Sequence, residues 1–312
     1  MNVAVLCANG LGDGLLMMII ATNFSKRGHT VTLFHDDFSV LSPLFPKTIH
    51  KKYPDIKDFY KTFKDYDLLL VENDNSDKAW ELIRLRNEEK LDNVTFLFPT
   101  PCKKAETKRD YTFNPKLPVA TNLEIASKRL LQFKEASKNN GITLGEGLIS
   151  RKYKNRVVLH PTSKDPKRNW KKEQFIKLAH LLQEDGFTIA LALSKEERKS
   201  FEDCREFLMP EFDSFKDLAS YIYESGYLIG NDSGLGHLAS NLNVPTLTIS
   251  GNPKRVKLWR PDWYLNKVVT LKCELPNFKG IGFRFRESYW QNFISVSRVY
   301  KQFNKLIGTH DT

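Results

Sequence analysis

The sequence predicts an α/β protein built on two doubly wound parallel sheets. Short apolar runs alternate with helical patterns along most of the chain, a glycine-rich turn closes the first run, and a second strand-turn-helix-strand unit lies far downstream. A length of 312 residues with 41% hydrophobic and 12% aromatic content suffices for two domains, each with its own core.

Val3 to Cys7 reads as a buried strand, Ala8-Asn9-Gly10-Leu11-Gly12-Asp13-Gly14 as a turn, Leu15 to Lys26 as a helix stopped by Arg27-Gly28, and His29 to Phe34 as a second strand. That is the first unit of a doubly wound sheet. Gly10-x-Gly12-x-Gly14 approaches a dinucleotide fingerprint, but its third glycine comes one residue early and Leu15 stands where Gly or Ala is needed. An NAD-dependent oxidoreductase with Asp36 or Asp37 on the ribose is therefore a rival reading, and a polyanion-binding protein without turnover is another. Asp67 to Val71, the helix Ser76 to Lys90 and the strand Asn93 to Phe98 continue the first domain. Between Lys47 and Lys64, lysines including Lys51 and Lys52 interleave with Tyr53, Phe59, Tyr60 and Phe63, and a second basic stretch, with Lys103 and Lys104, follows the strand that ends at Phe98. Loops at strand C-termini are where open α/β sheets bind ligands.

Thr121 to Asn139 has the pattern of a long helix, and the glycines of Asn140 to Gly147 precede a domain boundary at about 145–155. The expected domains are 1–150, 151–286 and a C-terminal helical segment, 287–312. Arg156 to His160 opens the second strand series, followed by the polar turn Pro161 to Trp170 and the helix Lys172 to Glu184. Phe187 to Leu193 is the next strand, Lys195 to Leu208 and Phe215 to Ser225 the next helices. Tyr227 to Gly230 is a strand closed by Asn231-Asp232-Ser233-Gly234; Leu235 to Leu242 has helical spacing and Val244 to Ile249 reads as a strand. A helix that starts straight after such a turn presents free backbone N–H groups and the positive end of its dipole to a diphosphate.

The net charge is +11, with 21 Lys+Arg against 19 Asp+Glu in residues 1–150 and 27 against 18 in residues 151–312. Such a balance suits phosphorylated or otherwise anionic partners, but no zinc-finger, RNP or basic-zipper pattern points to nucleic acid. Cys7, Cys102, Cys204 and Cys273 are scattered, which predicts reduced thiols and no structural zinc. No apolar run approaches the roughly 20 residues of a membrane-spanning helix and the first residues lack the basic start of a signal peptide, so a cytoplasmic location is expected.

Three polar turns, Gly10 to Gly14, His160 to Trp170 and Asn231 to His237, resemble in order and residue type those of glycosyltransferase family 9, the bacterial heptosyltransferases of lipopolysaccharide core assembly. The matching motifs are Leu11-Gly12-Asp13, Lys167-Arg168-Asn169-Trp170 and Asp232-Ser233-Gly234-Leu235-Gly236-His237-Leu238-Ala239, continued by Ser250-Gly251-Asn252-Pro253. The resemblance implies the GT-B fold: two Rossmann-like domains facing across a cleft, with a C-terminal helix crossing back to the first domain. It also implies that the second domain binds a nucleotide-sugar donor, with ADP-heptose expected, and the first an anionic lipopolysaccharide acceptor at the inner-membrane surface.

By that resemblance Asp13 is the general base for the acceptor hydroxyl, with inversion at the anomeric carbon. Thr162, Ser163, Lys167 or Arg168, and the cradle Ser233, Gly234 and Leu235 hold the donor diphosphate, with Lys164 a third basic option. Asp232 and His237 lie near the donor, and Glu196 or Glu197 near its ribose. Gly12, Lys51, Lys52, Lys103 and Lys104 are expected at the acceptor. No Asp-x-Asp motif ends a strand of the second domain, so no metal or cofactor beyond the nucleotide sugar is expected. Gly236 replaces the family's small hydroxyl residue, Pro161 sits in the first donor turn, and Gly14 stands where a larger apolar residue is usual. These departures bear on the donor sugar more than on the fold.

Overall fold

Strands of a parallel sheet covered on both faces must be apolar along their length. Val3, Ala4, Val5 and Leu6 are fully buried, as are Val157, Val158 and Leu159 in the second half. These two runs are interior strands of two separate sheets, one in each of two units, Met1–Thr143 and Leu144–Thr312. The structure, a computed structural model, describes residues 1–102, 106–132, 135–272 and 289–310.

In the first unit, β1 (Asn2–Leu6), β2 (Thr30–Phe34), β3 (Ile49–Lys51), β4 (Leu68–Glu72), β5 (Val94–Phe98) and β6 (Tyr111–Thr112) are arranged in the order β3-β2-β1-β4-β5-β6, all pairs parallel. The chain winds from β1 to one side through β2 and β3, then returns past β1 to begin the other side at β4. The switch point therefore falls between β1 and β4. Helices α1 (Leu11–Ser25), α2 (Phe38–Leu41), α3 (Phe59–Phe63), α4 (Asp77–Asn87) and α5 (Val119–Leu130) connect and cover these strands.

Leu15 to Ala21 is buried throughout, so α1 is an internal helix apolar on all sides rather than an amphipathic surface helix. It packs against α5, β1 and β2. The spacing predicts a helix to Asn139, but α5 ends at Leu130 and Gln132 takes a positive φ of 51°. Further along, the chain bonds to α1 instead: Asn23 Nδ2 donates to the Ser137 carbonyl at 2.8 Å, Thr22 Oγ1 to the Asn140 carbonyl at 2.7 Å, and Asn140 Nδ2 to the Leu15 carbonyl at 2.9 Å. Buried amides that need partners have here outcompeted helical propensity.

In the second unit, β7 (Tyr153–His160), β8 (Thr188–Leu191), β9 (Ser225–Asn231), β10 (Thr246–Ser250) and β11 (Asn266–Thr270) form a parallel sheet in the order β11-β10-β9-β7-β8. Its switch point lies between β7 and β9, where His160 is level with Gly230. Helices α6 (Lys172–Glu184), α7 (Lys195–Arg198), α8 (Phe215–Tyr223), α9 (Gly234–Asn241) and α10 (Pro253–Trp259) complete the layers. The helix expected over Lys195 to Leu208 shrinks to α7 and one 3-10 turn, Lys199–Phe201. Leu208 has joined the sheet edge, accepting from Leu191 N–H at 2.8 Å and donating to the Ile189 carbonyl at 3.0 Å.

The last helix of the second unit is Val296–His310. Its fully buried Val299, Phe303 and Leu306 belong to the second unit's core, and it packs on α6, β10 and β11. The Phe303 ring lies 5.1 Å from Tyr227 and 5.4 Å from Phe187, near-perpendicular contacts that favour this docking.

One buried ion pair holds the far edge of the first sheet. Asp110 accepts from Arg86 Nη1 at 2.7 Å, from Phe96 N–H at 2.8 Å and from Thr107 N–H at 2.6 Å, and its side chain is fully buried. Asp110→Ala should lower the stability of the first unit by about 3 kcal/mol, the scale on which a buried pair fails when one partner is removed. Denaturant unfolding of the full chain checks this; a loss below about 1 kcal/mol would show the pair to be peripheral.

Candidate functional site

Ligands of open α/β sheets bind outside the carboxyl ends of the strands at the switch point. Each sheet has polar groups gathered there. In the second unit, the loops after β7 and β9 are joined by Asn231, which is buried and uses both ends of its amide: Oδ1 accepts from Trp170 N–H at 2.9 Å and Nδ2 donates to the Pro161 carbonyl at 2.8 Å. Trp170 is itself buried, and its indole N–H donates to the Ile294 carbonyl at 3.0 Å. Trp290 donates to the Lys167 carbonyl at 2.9 Å and lies so close over Gly251 that a Cβ there would collide with the ring. The motif tryptophan is thus a structural pin.

Around this frame three polar side-chain atoms are buried and have no hydrogen-bond partner among the described residues: Thr162 Oγ1, Ser233 Oγ and His237 Nδ1. Ser233 is the N-cap of α9, yet its hydroxyl does not cap the helix. Buried polar groups are normally satisfied, so three orphans beside one helix N-terminus mark a place where a ligand supplies the partners. Gly234 and Leu235 begin α9 and offer the free backbone N–H groups. Ser163 is employed otherwise, its Oγ bonded to the Asp165 carbonyl at 2.9 Å and to Asn169 Oδ1 at 2.6 Å.

Asp232 is buried and meets Arg255 Nε at 3.2 Å. Arg255, in α10 just past the turn Gly251-Asn252-Pro253, escaped the sequence reading; its signal is a basic cluster opening a helix at a strand end. Lys167 and Lys164 are exposed, and Arg168 lies 3.9 Å from Asp165. Burial pushes His237 down to about 4, with Arg255 acting the same way and Asp232 and the Trp259 backbone opposing. His237 is therefore neutral at physiological pH. Gly236 faces Pro261, whose Cγ would be 3.2 Å from an added Cβ, so the hydroxyl residue usual here would crowd this loop.

Beside α9 opens a cavity of about 360 Å³ lined by His160, Ser194, Glu197, Phe212, Phe215 and Leu235 among others. His160 donates from Nδ1 to the Ala192 carbonyl at 2.9 Å. That bond leaves Nε2 as an acceptor, and burial holds the ring below its usual basicity. Of the two candidate glutamates, Glu197 lines this cavity and Glu196 does not; Glu196 is exposed. The Glu197 carboxylate also accepts from Ser194 N–H at 2.7 Å in a capping box.

In the first unit, Asp13 sits in the first turn of α1, with its carboxylate over Gly10 where any side chain would collide with it. His35 fixes that turn: its Nδ1 accepts from Asp37 N–H at 3.0 Å, so Nε2 donates to the Gly10 carbonyl at 3.0 Å. At the end of β4 the buried Glu72 carboxyl accepts from Ala8 N–H at 3.0 Å. Burial, then the nearby Asp13 charge, push Glu72 well above the usual carboxylate range, against the pull of Ala8 N–H. A cavity of about 250 Å³ opens here, lined by Cys7, Asn9, Asp36, Tyr53, Glu72 and Lys78 among others. Asp36, the ribose acid of the rival dehydrogenase reading, is bound to Lys78 Nζ at 2.6 Å. Glu72 was missed as a site residue; its only sequence signal is a carboxylate ending an otherwise apolar central strand. Lys51 and Lys52 are exposed at the end of β3, Gly12 is in the first turn of α1, and Lys103 and Lys104 lie outside the described residues. Among the described residues no group of His, Cys, Asp or Glu is arranged to hold a metal ion, and no helix is long and apolar enough to cross a membrane.

A sequence profile of glycosyltransferase family 9 (heptosyltransferase) matches residues 112–279, more than half the chain, and spans both donor-side motifs. The chain belongs to glycosyltransferase family 9. Its fold is that of the family's solved structures. Escherichia coli heptosyltransferase WaaC with ADP superimposes at a TM-score of 0.67 with 14% identity, over 98% of this chain and 100% of that one. The E. coli ADP-heptose lipopolysaccharide heptosyltransferase II gives 0.66 with 16% identity over 100% of both chains. The family 9 glycosyl transferase of Veillonella parvula gives 0.70 with 16% identity, over 98% and 96%. No curated protein sequence matches the chain. This family 9 enzyme is thus a distant relative of the solved heptosyltransferases that shares their fold.

The neutral His237 of this transferase has a consequence for stability. The unfolded chain takes up a proton on this histidine near its ordinary value of about 6.5, whereas the folded chain resists until about 4. Between those values the unfolded state binds more protons, so stability falls as pH is lowered through the window. His237→Gln should flatten the fall between pH 6.5 and 4, by an amount on the order of 3 kcal/mol at its lower end. Urea unfolding at stepped pH tests it; identical slopes in both proteins would contradict a buried neutral ring.

Proposed function

We propose that this family 9 enzyme transfers a heptose from ADP-heptose, with inversion and without a metal ion, to a hydroxyl of an anionic lipopolysaccharide core acceptor at the inner-membrane surface. The observation that carries the donor half is the set of three orphaned polar atoms, Thr162 Oγ1, Ser233 Oγ and His237 Nδ1, gathered about the start of α9. A diphosphate supplies acceptor oxygens to the two hydroxyls and to the free N–H groups of Gly234 and Leu235. Arg255, Lys167 and Arg168 furnish positive charge for the leaving group in place of a cation. The nucleoside occupies the neighbouring cavity, its base against Phe212, Phe215 and Leu235, with Glu197 or the His160 acceptor nitrogen toward its hydroxyls and amine. The solved relative with ADP supports an adenine nucleotide.

In the reaction, the acceptor oxygen attacks the anomeric carbon as the bond from that carbon to the diphosphate breaks. The hydroxyl proton passes to Asp13, and ADP leaves with the electron pair. An ordinary aspartate, of pKa about 3.9, is too weak to ionise a sugar hydroxyl in advance; it accepts the proton only as the departing diphosphate makes the hydroxyl acidic. Lys51, Lys52, Lys103 and Lys104 supply the charge that meets the acceptor's anionic groups.

Asp13→Asn should reduce sugar transfer by at least roughly 1,000-fold while leaving ADP affinity within about twofold, since general-base removal acts on the chemical step. Arg255→Ala should weaken ADP by roughly tenfold, the scale of one charge-assisted contact. Calorimetry with ADP, UDP, GDP and NAD, each with and without magnesium, accompanies the transfer assay. Binding of NAD alone, or transfer at the parent rate by Asp13→Asn, would sink this reading.

A further inference from the structure

The cavity at the first sheet's switch point has a charge character opposite to that of the chain as a whole. Among the described residues its lining contains the carboxyl groups Asp36, Glu72, Asp74 and Asp77 against a single base, Lys78. That base is already engaged: Lys78 Nζ is 2.6 Å from Asp36 and 4.1 Å from the centre of the Tyr53 ring. Glu72 is the most informative member. It is 4% exposed, is bonded through Oε2 to Ala8 N–H and lines the cavity. A carboxyl held at the wall of a small cavity is positioned to pair with a hydroxyl that enters it. The remaining walls, Tyr53, Ile56, Val71 and Leu82, are apolar or aromatic, the surface that packs against a sugar's C–H face.

We infer that this cavity receives an uncharged polyhydroxylated ring, the sugar that accepts the transferred group, and excludes a ring carrying phosphate or carboxylate. The inference rests on the family 9 reading and narrows its acceptor. At about 250 Å³ the space is below the roughly 300–1,000 Å³ of most ligand sites, which fits one ring. A hydroxyl placed at Glu72 Oε1 is satisfied in either protonation state of the carboxyl, donating to it or accepting from it. An anion there faces Asp74 and Asp77 with no free cation in the lining among the described residues, since displacing Lys78 from Asp36 exposes a further carboxylate. Anionic groups of the acceptor belong on neighbouring rings, where the exposed Lys51 and Lys52 can meet them. Cys7 and Asn9 of the turn that carries Asp13 line the same cavity, and the Asp13 charge is felt at Glu72.

The probes are the methyl glycoside of a neutral hexose, the same glycoside bearing a 6-phosphate, and the corresponding uronate. Each is titrated into the full chain by saturation-transfer NMR, with ADP calorimetry in parallel. The neutral glycoside is expected to bind at least about tenfold more tightly than either anion, tenfold being about 1.4 kcal/mol of discrimination. Glu72→Leu should weaken it about tenfold and Glu72→Gln by less than threefold, circular dichroism and an unchanged denaturant unfolding profile reporting that the first unit of both variants is folded. Tighter binding of the phosphate or uronate, lost in Lys78→Met, would make this an anion site and overturn the inference. So would a failure of the neutral glycoside to bind, or indifference of its binding to Glu72→Leu. Failure of ADP to bind while the neutral glycoside behaves as expected would instead count against the donor assignment.

Discussion

The Asn231 amide is the interaction on which the donor side depends. With one end it accepts from the Trp170 backbone N–H and with the other it donates to the Pro161 carbonyl, so a single buried side chain fixes two loops from different strands. Both bonds lie where water does not compete, and a replacement that kept only one would leave a buried backbone group unpaired. Everything that faces the ligand is held by this junction. Thr162 follows Pro161, the basic turn precedes Trp170, and Asp232 and Ser233 follow Asn231 itself. The two indoles extend the brace, Trp170 to the Ile294 carbonyl and Trp290 to the Lys167 carbonyl, so the C-terminal segment helps hold the turn.

Rigid framing explains how polar atoms can remain unsatisfied. A hydroxyl such as that of Ser233 would ordinarily cap its helix, and the chain would gain about 1 kcal/mol by doing so. That it does not means the loop geometry is imposed from outside the turn, by Asn231 and by the strand register that sets His160 level with Gly230. Preorganised donors that need not reorient are the kind that stabilise charge developing on a leaving group. The low basicity of His237 fits the same logic, because a charged imidazolium next to Arg255 would cost stability that the site cannot recover without ligand.

Much of this was legible in the sequence because parallel sheets write themselves as apolar runs. The helix Lys172 to Glu184 was read at its true limits, and the central strands to within two residues or so. What escaped was set by distant partners. Leu208 adds to the edge of β8, which no local pattern near Lys195 encodes, and α5 stops short because Asn23 and Asn140 need each other's neighbourhoods rather than more helix. The edge strands β3 and β6 are three and two residues long, too short for a period to show. Among the proposed site residues, Asp13, Thr162, Ser233, Asp232 and His237 were named from motif order, while Arg255 and Glu72 were not. Their roles arise from where the fold puts a charge, and a charge at a strand end reads in sequence like any other.

The two switch points use electrostatics in opposite ways. On the donor side the basic residues Arg255, Lys167 and Arg168 and the helix N-terminus accumulate positive potential, and Asp232 is present as the partner that orients Arg255 rather than as a free charge. On the proposed acceptor side carboxyl groups dominate, and the one lining base among the described residues, Lys78, is paired with Asp36 within the cavity. An enzyme that must bind a nucleoside diphosphate and also bring up a hydroxyl gains from that separation. A strongly positive acceptor pocket would draw the diphosphate to the wrong site. The net charge of +11 is therefore a poor guide to the acceptor cavity: it is an average over a surface, and the chemistry is decided by the few groups that the switch points of the two sheets bring inward.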